Sequence, residues 1–358
     1  RDIGVTGVQT CALPISPLGS WMHPSIPEPP PARPGIVLGP HFSLSISSSC
    51  QPSGPVRLID AHNHLQDERL APWRDAVVGA CKDAGVAGMV VNGACESDWD
   101  AVEAMARAHP GWVFPSFGWH PWWLHEQSVG WEQRLCARLA AWPGAGVGEC
   151  GLDRWILEPA SRSRLRAMPG RGDAEPAGMD RQVAVLRVHL RVASDLARPL
   201  SLHCLKAWGT LLEELRRAPL PDRGFLLHSY GGPAGMIPEL ARLGGYFGFP
   251  GYFLHERKRR QAEVFRSVPP DRLLLETDAP DQRLPDGLQT HRLPDDGASL
   301  NHPANLGAVG AGLAEILGVP VGELARRLEE NFGRRSEEHT SELQSRQYLV
   351  CRLLLEKK

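Results

Sequence analysis

The stretch VRLIDAHNHL (56–65) ends an apolar, strand-like run in two imidazoles, His62 and His64, one residue apart. In extended chain that spacing puts both side chains on one face. Glu149 lies within a further apolar run, and His203, His228 and Asp278 end three others. Imidazole nitrogens and carboxylate oxygens in one set suit divalent Zn, Mn, Mg, Fe or Ni. Two such ions about 3.5–4 Å apart, sharing a bridging carboxylate, are a usual arrangement for hydrolysis. A lone histidine at a strand end is more often a hydrogen-bonding residue than a ligand. Six donors at such positions are hard to produce by packing, because buried, unpaired imidazoles and carboxylates are costly. A metal is the simplest compensating charge.

These donors need a scaffold that brings distant parts of the chain to one place. Short apolar runs recur at 56–64, 85–94, 112–120, 145–153, 199–204, 224–230, 245–251 and 272–280. Helical spacing fills the intervals, as in RDAVVGACKDA (74–84), DAVEAMARAH (100–109) and DRQVAVLRVHLRVASDLA (180–197), with two more helices expected around 303–318 and 320–332. Eight strands alternating with helices predict parallel βαβ units and an α/β fold, a single-domain TIM (β/α)8 barrel. The alternative, an open doubly wound sheet, would call for a GxGxxG after a strand, and none stands in that context. In such barrels chemistry gathers at the C-terminal ends of the strands, where the candidate donors fall.

Composition narrows the function classes. The chain has 358 residues, 42% hydrophobic and 22% charged, with a net charge of −2. That balance exerts no global pull toward nucleic acid or an anionic membrane, so phosphate binding would be local. No run approaches the roughly 20 apolar residues of a membrane span. The eight cysteines include no CxxC pair, which argues against a zinc knuckle or disulfide framework and for a reducing, cytoplasmic setting. No obligate protein partner is indicated. Residues 17–55 are dense in Pro and Ser, a composition that does not bury enough apolar surface to order itself. The expected division is a disordered leader over 1–55, a barrel over 56–333 and a tail over 334–358. Residues 1–16 and 335–358 resemble translated sequencing-adapter read-through, against the alternative of a genuine extension and a genuine C-terminal helix.

The blocks DAHNH (60–64), GWHP (118–121), GECGLD (148–153), LHC (202–204), LHSYGG (227–232) and ETDAP (276–280) resemble, in order, the signature blocks of the TatD family of metal-dependent hydrolases. ENFGR (330–334) resembles that family's closing helix. The resemblance spans about Val56 to Gly333. It implies an amidohydrolase-type TIM barrel with two divalent metal ions, Mg, Mn or Zn, and deoxyribonuclease activity on DNA, or on RNA. By position, His62 and His64 would bind the first ion and Glu149 would bridge. His203 and His228 would bind the second ion. Asp278 would bind the first ion and take a proton from the attacking water. Asp60 would orient the metal-bound histidines, and Glu276 and His120 would line the mouth. His120 would donate to a substrate phosphate or serve as a structural residue after a turn. Related phosphotriesterase-type barrels bridge with a carboxylated lysine, so a glutamate at position 149 favours the TatD reading.

The departures bear on substrate. Where the family often has Arg two residues after the fifth-strand histidine, this chain has Leu205, followed by Lys206. A planar bidentate phosphate partner is lost, and Lys206 would replace it as a point charge, or the substrate is not a phosphodiester. An insertion (154–178) carries Arg154, Arg162, Arg164, Arg166 and Arg171. It reads as an electropositive lip for a phosphate backbone, with Arg154 a substrate contact, or, more plainly, as a solvated loop. Trp119, Trp122 and Trp123 flank His120, with Trp155 and Trp208 after the next blocks. They would stack on bases, wall off a smaller organic substrate or pack under loops. Three functions remain in view: a TatD-type nuclease, a metal-dependent hydrolase of a small ester, amide or lactone, and a non-catalytic binder, against which the intact donor set argues.

Overall fold

The computed structural model describes residues 57–166, 173–294, 297 and 299–336. Eight parallel strands pair in chain order: β1 (Leu58–Asn63), β2 (Val86–Asn92), β3 (Val113–Phe117), β4 (Gly146–Asp153), β5 (Leu200–Leu205), β6 (Phe225–Leu227), β7 (Gly245–Pro250) and β8 (Leu273–Glu276). Each is an expected run, most of them shorter than the sequence suggests. His62, Glu149 and His203 stay within strands, whereas His64, His120, His228 and Asp278 lie on the turns just past β1, β3, β6 and β8. The strands read as continuous apolar runs because both of their faces are covered. Met89, Val91, Phe247 and Leu275 are buried between sheet and helices.

The ring of helices comprises α1 (Arg74–Asp83), α2 (Glu96–Ala108), α3 (Trp131–Ala141), the short α4 (Arg162–Arg166), α5 (Met179–Asp195), α6 (Trp208–Arg217), α7 (Ile237–Arg242), α8 (Arg259–Val264), α9 (Leu306–Leu317) and α10 (Val321–Ser336). Their apolar stripes follow helical period: α2 buries Trp99, Val102, Met105 and Ala106 against the barrel. No single helix among the described residues is long and apolar enough to cross a membrane. Cys81, Cys95, Cys136, Cys150 and Cys204 are buried and form no disulfide among the described residues.

The seam between β8 and β1 is drawn together just beyond the strand ends. The Asp278 N–H donates to the His62 carbonyl at 2.9 Å, and the His64 N–H to the Ala279 carbonyl at 2.7 Å. Below them the Asp60 carboxylate accepts from the Thr277 N–H at 2.9 Å and the Thr277 hydroxyl at 2.5 Å. The barrel's lower interior is filled by Ala61, Val90, Leu226, Tyr246, Leu274 and, from α10, Phe332. Arg335 is buried and donates to the Leu200 carbonyl at 3.0 Å. The boundary expected near Gly333 therefore falls inside α10, which continues to Ser336. The expectations for residues 1–55 and for the tail beyond Ser336 lie outside the described residues.

Candidate metal centre

Glu149 stands at the middle of the upper barrel, 2% exposed, and its two oxygens face different groups. Oε2 lies 3.3 Å from His62 Nε2 and 3.1 Å from His64 Nε2. The same two nitrogens lie 3.5 and 3.6 Å from Asp278 Oδ1. Oε1 lies 2.9 Å from His228 Nε2, 3.2 Å from His203 Nδ1 and 3.3 Å from His120 Nε2. The six residues expected as ligands are thus brought together, with His120 beside them. Three triads have donor atoms mutually within 4.8 Å: His62, His64 and Asp278; His62, Glu149 and His228; His120, Glu149 and His203.

Local sequence explains how β4 and β5 come so close. Gly151 is registered against His203 at φ +148°, and a Cβ there would lie 2.0 Å from the His203 carbonyl oxygen. Only glycine allows that approach, which sets Glu149 beside His203. The imidazoles of His62, His64 and His203 are aimed through their other nitrogens. His62 Nδ1 meets Ser201 Oγ at 3.0 Å, and His64 Nδ1 donates to the Asn92 carbonyl at 2.8 Å, leaving both Nε2 atoms for the centre. His203 is turned the opposite way: Nε2 meets Asp153 Oδ2 at 3.1 Å and Nδ1 faces inward. Asp278, at φ +52°, has Oδ2 held by Gln282 at 2.7 Å, so Oδ1 is the free oxygen.

Asp60 does not orient the histidine rings as expected. It accepts the His62 backbone N–H at 3.3 Å and grips Thr277, holding the chain that carries the rings; Ser201 and the Asn92 carbonyl aim the rings themselves. Glu276 lies beneath the mouth, fully buried, rather than lining it. It accepts from the Ser229 N–H at 2.6 Å and lies 3.8 Å from His228 Nδ1. Space for it comes from Gly248, where a Cβ would sit 1.9 Å from Glu276 Oε2.

The electrostatics fit a cation. Burial opposes charge throughout, yet Glu149 is held well below the usual carboxylate range by His120, His228 and His62. His64 is pushed up to about 9, burial being outweighed by the Glu149 hydrogen bond and charge and by Asp278. His228 and His203 are also raised, through Glu149 and Asp153 respectively. His62 goes down through burial and the neighbouring His228, whose ring stacks on it at 4.1 Å. Burial pushes Asp278 up to about 6, against the pull of His228 and His64. His62 Nε2 is buried without a hydrogen-bond partner, and His203 Nδ1 and His228 Nε2 face each other at 3.0 Å. Orphaned and opposed nitrogens, around a carboxylate with donors on both oxygens, are what divalent cations would satisfy.

His120 presents an N–H where the ligand histidines would present a lone pair. Its Nδ1 accepts the Trp122 N–H at 3.2 Å, and burial lowers its pKa to about 4. The neutral ring therefore carries its proton on Nε2, toward Glu149, as a donor rather than a ligand. Lys206 is not a free point charge. Glu158 takes its ammonium on both oxygens at 2.8 and 2.9 Å, while Leu205 is 39% exposed beside it. Arg154 is exposed and joined to that position by its N–H, which donates to the Leu205 carbonyl at 2.9 Å. Arg166 pairs with Asp173 at 2.9 Å, and Arg171 lies outside the described residues. The tryptophans divide: Trp119 packs on Trp99 in the core, Trp123 stacks on His125 and Trp208 meets Tyr230, while Trp122 and Trp155 stay together at the mouth. Asp153, Gln282, Ser201 and Asn92 carry no functional signal in sequence; only Asp153, inside GECGLD, sits within a recognisable block.

Comparison with known proteins agrees with this architecture. The family model described as TatD-related DNase matches residues 59–335. The 3'-5' ssDNA/RNA exonuclease TatD of Erwinia billingiae is 30% identical over 227 residues, 62% of this chain and 79% of that protein. Its namesake from Erwinia tasmaniensis is 28% identical over 270 residues, 75% of this chain and 95% of that one. A solved TatD homologue from Escherichia coli K12 superposes with a TM-score of 0.66 at 25% identity, covering 78% of this chain and 98% of that one. A TatD-family hydrolase from Entamoeba histolytica shares the fold with a TM-score of 0.65 at 15% identity, over 78% and 97% of the two chains.

Proposed function

We propose that this chain, which belongs to the TatD family of metal-dependent hydrolases, hydrolyses phosphodiester bonds in single-stranded nucleic acid with two divalent ions, Mg, Mn or Zn. The observation that carries the reading is the divided environment of Glu149, with His62 and His64 on one oxygen and His203 and His228 on the other. The relatives named as ssDNA/RNA exonucleases support nucleic acid as the substrate.

In this reading His62, His64, Asp278 and Glu149 would hold one ion, and His203, His228 and Glu149 the other. Bound there, divalent ions supply Lewis acidity and acidify water toward neutrality. The remaining work belongs to the side chains. Asp278 has Oδ1 turned toward His62 and His64, and is the residue that would take the proton of the attacking water. Gln282 fixes its geometry. His120 offers Nε2–H to a phosphate oxygen, and Arg154 offers an exposed cation where the family's arginine is missing. Asp60 and Glu276 hold β1 and the His228 turn in place.

A second reading, hydrolysis of a small ester, amide or lactone, is favoured by one observation: Leu205 is exposed at the mouth and Lys206 is already neutralised by Glu158. Both readings are tested by loading the stripped full chain with Mg, Mn or Zn and assaying labelled single-stranded DNA beside a panel of esters and lactones. Metal-dependent shortening of DNA is expected, falling roughly 100- to 10,000-fold in Asp278→Asn with the fold retained. Turnover of a small substrate with intact DNA would move the function to the second reading, and wild-type turnover in Asp278→Asn would remove Asp278 from its role.

A further inference from the structure

A contiguous row of rings leads from the metal centre to the surface. The His203 and His120 rings lie 4.4 Å apart, His120 and Trp122 5.3 Å, and Trp122 and Trp155 6.1 Å. Beyond them the Arg164 guanidinium stands 5.7 Å over the Trp155 ring. Both indoles are half-buried and Arg164 is exposed. Among the described residues no carboxylate pairs with Arg164, in contrast to Lys206 and Arg166. The inner end of the row is anchored to the centre by a second route: Trp122 Nε1 donates to Asp153 Oδ2 at 2.6 Å, and the same oxygen holds His203 Nε2.

We propose that the Trp122–Trp155 pair, with Arg164 beside it, is a stacking subsite for an unpaired nucleobase of the substrate strand, a short step along the chain from the phosphate at the metals. The proposal rests on the nuclease reading above and adds where the strand runs. Indole faces take any base, since every base offers a π-face, and a neighbouring guanidinium adds cation–π attraction and a phosphate contact. A base in a paired duplex cannot present its face to this platform, so the subsite selects single strands. It also explains how the chain manages without the usual arginine at position 205: part of the grip on the strand is moved from the phosphate to the base, through the β4–α5 insertion.

The test uses the full chain, loaded with whichever ion supports hydrolysis, and single-stranded oligonucleotides carrying one abasic residue at successive positions from the cleaved end. At one position the wild type should lose roughly 5- to 150-fold in kcat/KM, the range that one stacked base is worth. Trp155→Ala should show that loss on intact DNA and no further loss on the abasic strand, while Trp155→Phe retains most of the discrimination. Fluorescence anisotropy of a labelled oligo-dT on the metal-stripped chain should show the same weakening in Trp155→Ala. If the wild type cleaves DNA but is indifferent to every abasic position, or Trp155→Ala binds and cleaves as the wild type does, the subsite is overturned and the nuclease reading stands. If the wild type cleaves no DNA with any ion, the nuclease reading fails and the subsite with it.

Discussion

Loading the centre with metal should expel protons. In the metal-free protein His64 is raised to about 9, burial being outweighed by Glu149 and Asp278, so at pH 7 it is an imidazolium. A metal needs the neutral ring. Working two pH units below that pKa costs about two decades of apparent affinity, or about 2.7 kcal/mol at 1.36 kcal/mol per unit. His228 and His203 are shifted in the same direction, whereas His62 is shifted down and is neutral already. Affinity should be weak at acidic pH, tighten as pH rises, and level off near pH 9 for an ion that His64 would hold. Per proton displaced, apparent Kd should change about tenfold for each pH unit below the pKa. Isothermal titration calorimetry of the stripped chain with Mn²⁺, in buffers of one pH and different ionisation enthalpies, counts the protons directly. About one is expected for the compartment of His62 and His64, and more when His203 and His228 are engaged. No proton release at pH 7, or an affinity flat between pH 6 and 8, would refute both the imidazolium state and the placement of His64 at the ion.

Two further outcomes test the supports of the site. Gly248→Ala puts a methyl 1.9 Å from Glu276 Oε2 in a closed interior; overpacking of this kind costs about 1–3 kcal/mol, read as a lower urea midpoint, and an unchanged midpoint would show that Gly248 does not make room for Glu276. His189, fully buried on α5, accepts the Trp119 N–H at 3.1 Å and donates to the Val185 carbonyl at 2.8 Å, so its ring must stay neutral; burial lowers its pKa from 6.5 to about 4. Its contribution is complete above about pH 6.5 and is lost as pH falls through about 4, roughly 3 kcal/mol in all. Comparing the wild type with His189→Gln cancels the opposite titration of Asp60, which burial raises to about 7. The wild type's advantage in unfolding free energy should shrink by about that amount between pH 7 and pH 4, and parallel profiles for the two proteins would overturn the neutral-ring assignment.

Much of this molecule is written in local pattern. Strand period, helical spacing and donor chemistry are properties of neighbouring residues, so the eightfold alternation, the fold class and the donor set His62, His64, Glu149, His203, His228 and Asp278 can all be read along the chain. The approach of β4 to β5 also has a local sign, since Gly151 flanks Glu149 in GECGLD. Other features depend on partners that are far apart in sequence. Asp60 reads as a histidine-orienting carboxylate from its place before HNH, yet it grips Thr277, 217 residues away. Lys206 reads as a phosphate contact until Glu158 is found on its ammonium. Asp153 and Gln282 look like ordinary polar residues until His203 and Asp278 are seen against them. Residue type and spacing determine which groups reach the mouth of the barrel. Which oxygen faces which ring, and which charge is already spent, depends on strand register and barrel closure, because hydrogen bonds and ion pairs act only over a few ångströms and only the closed barrel brings those partners within that reach.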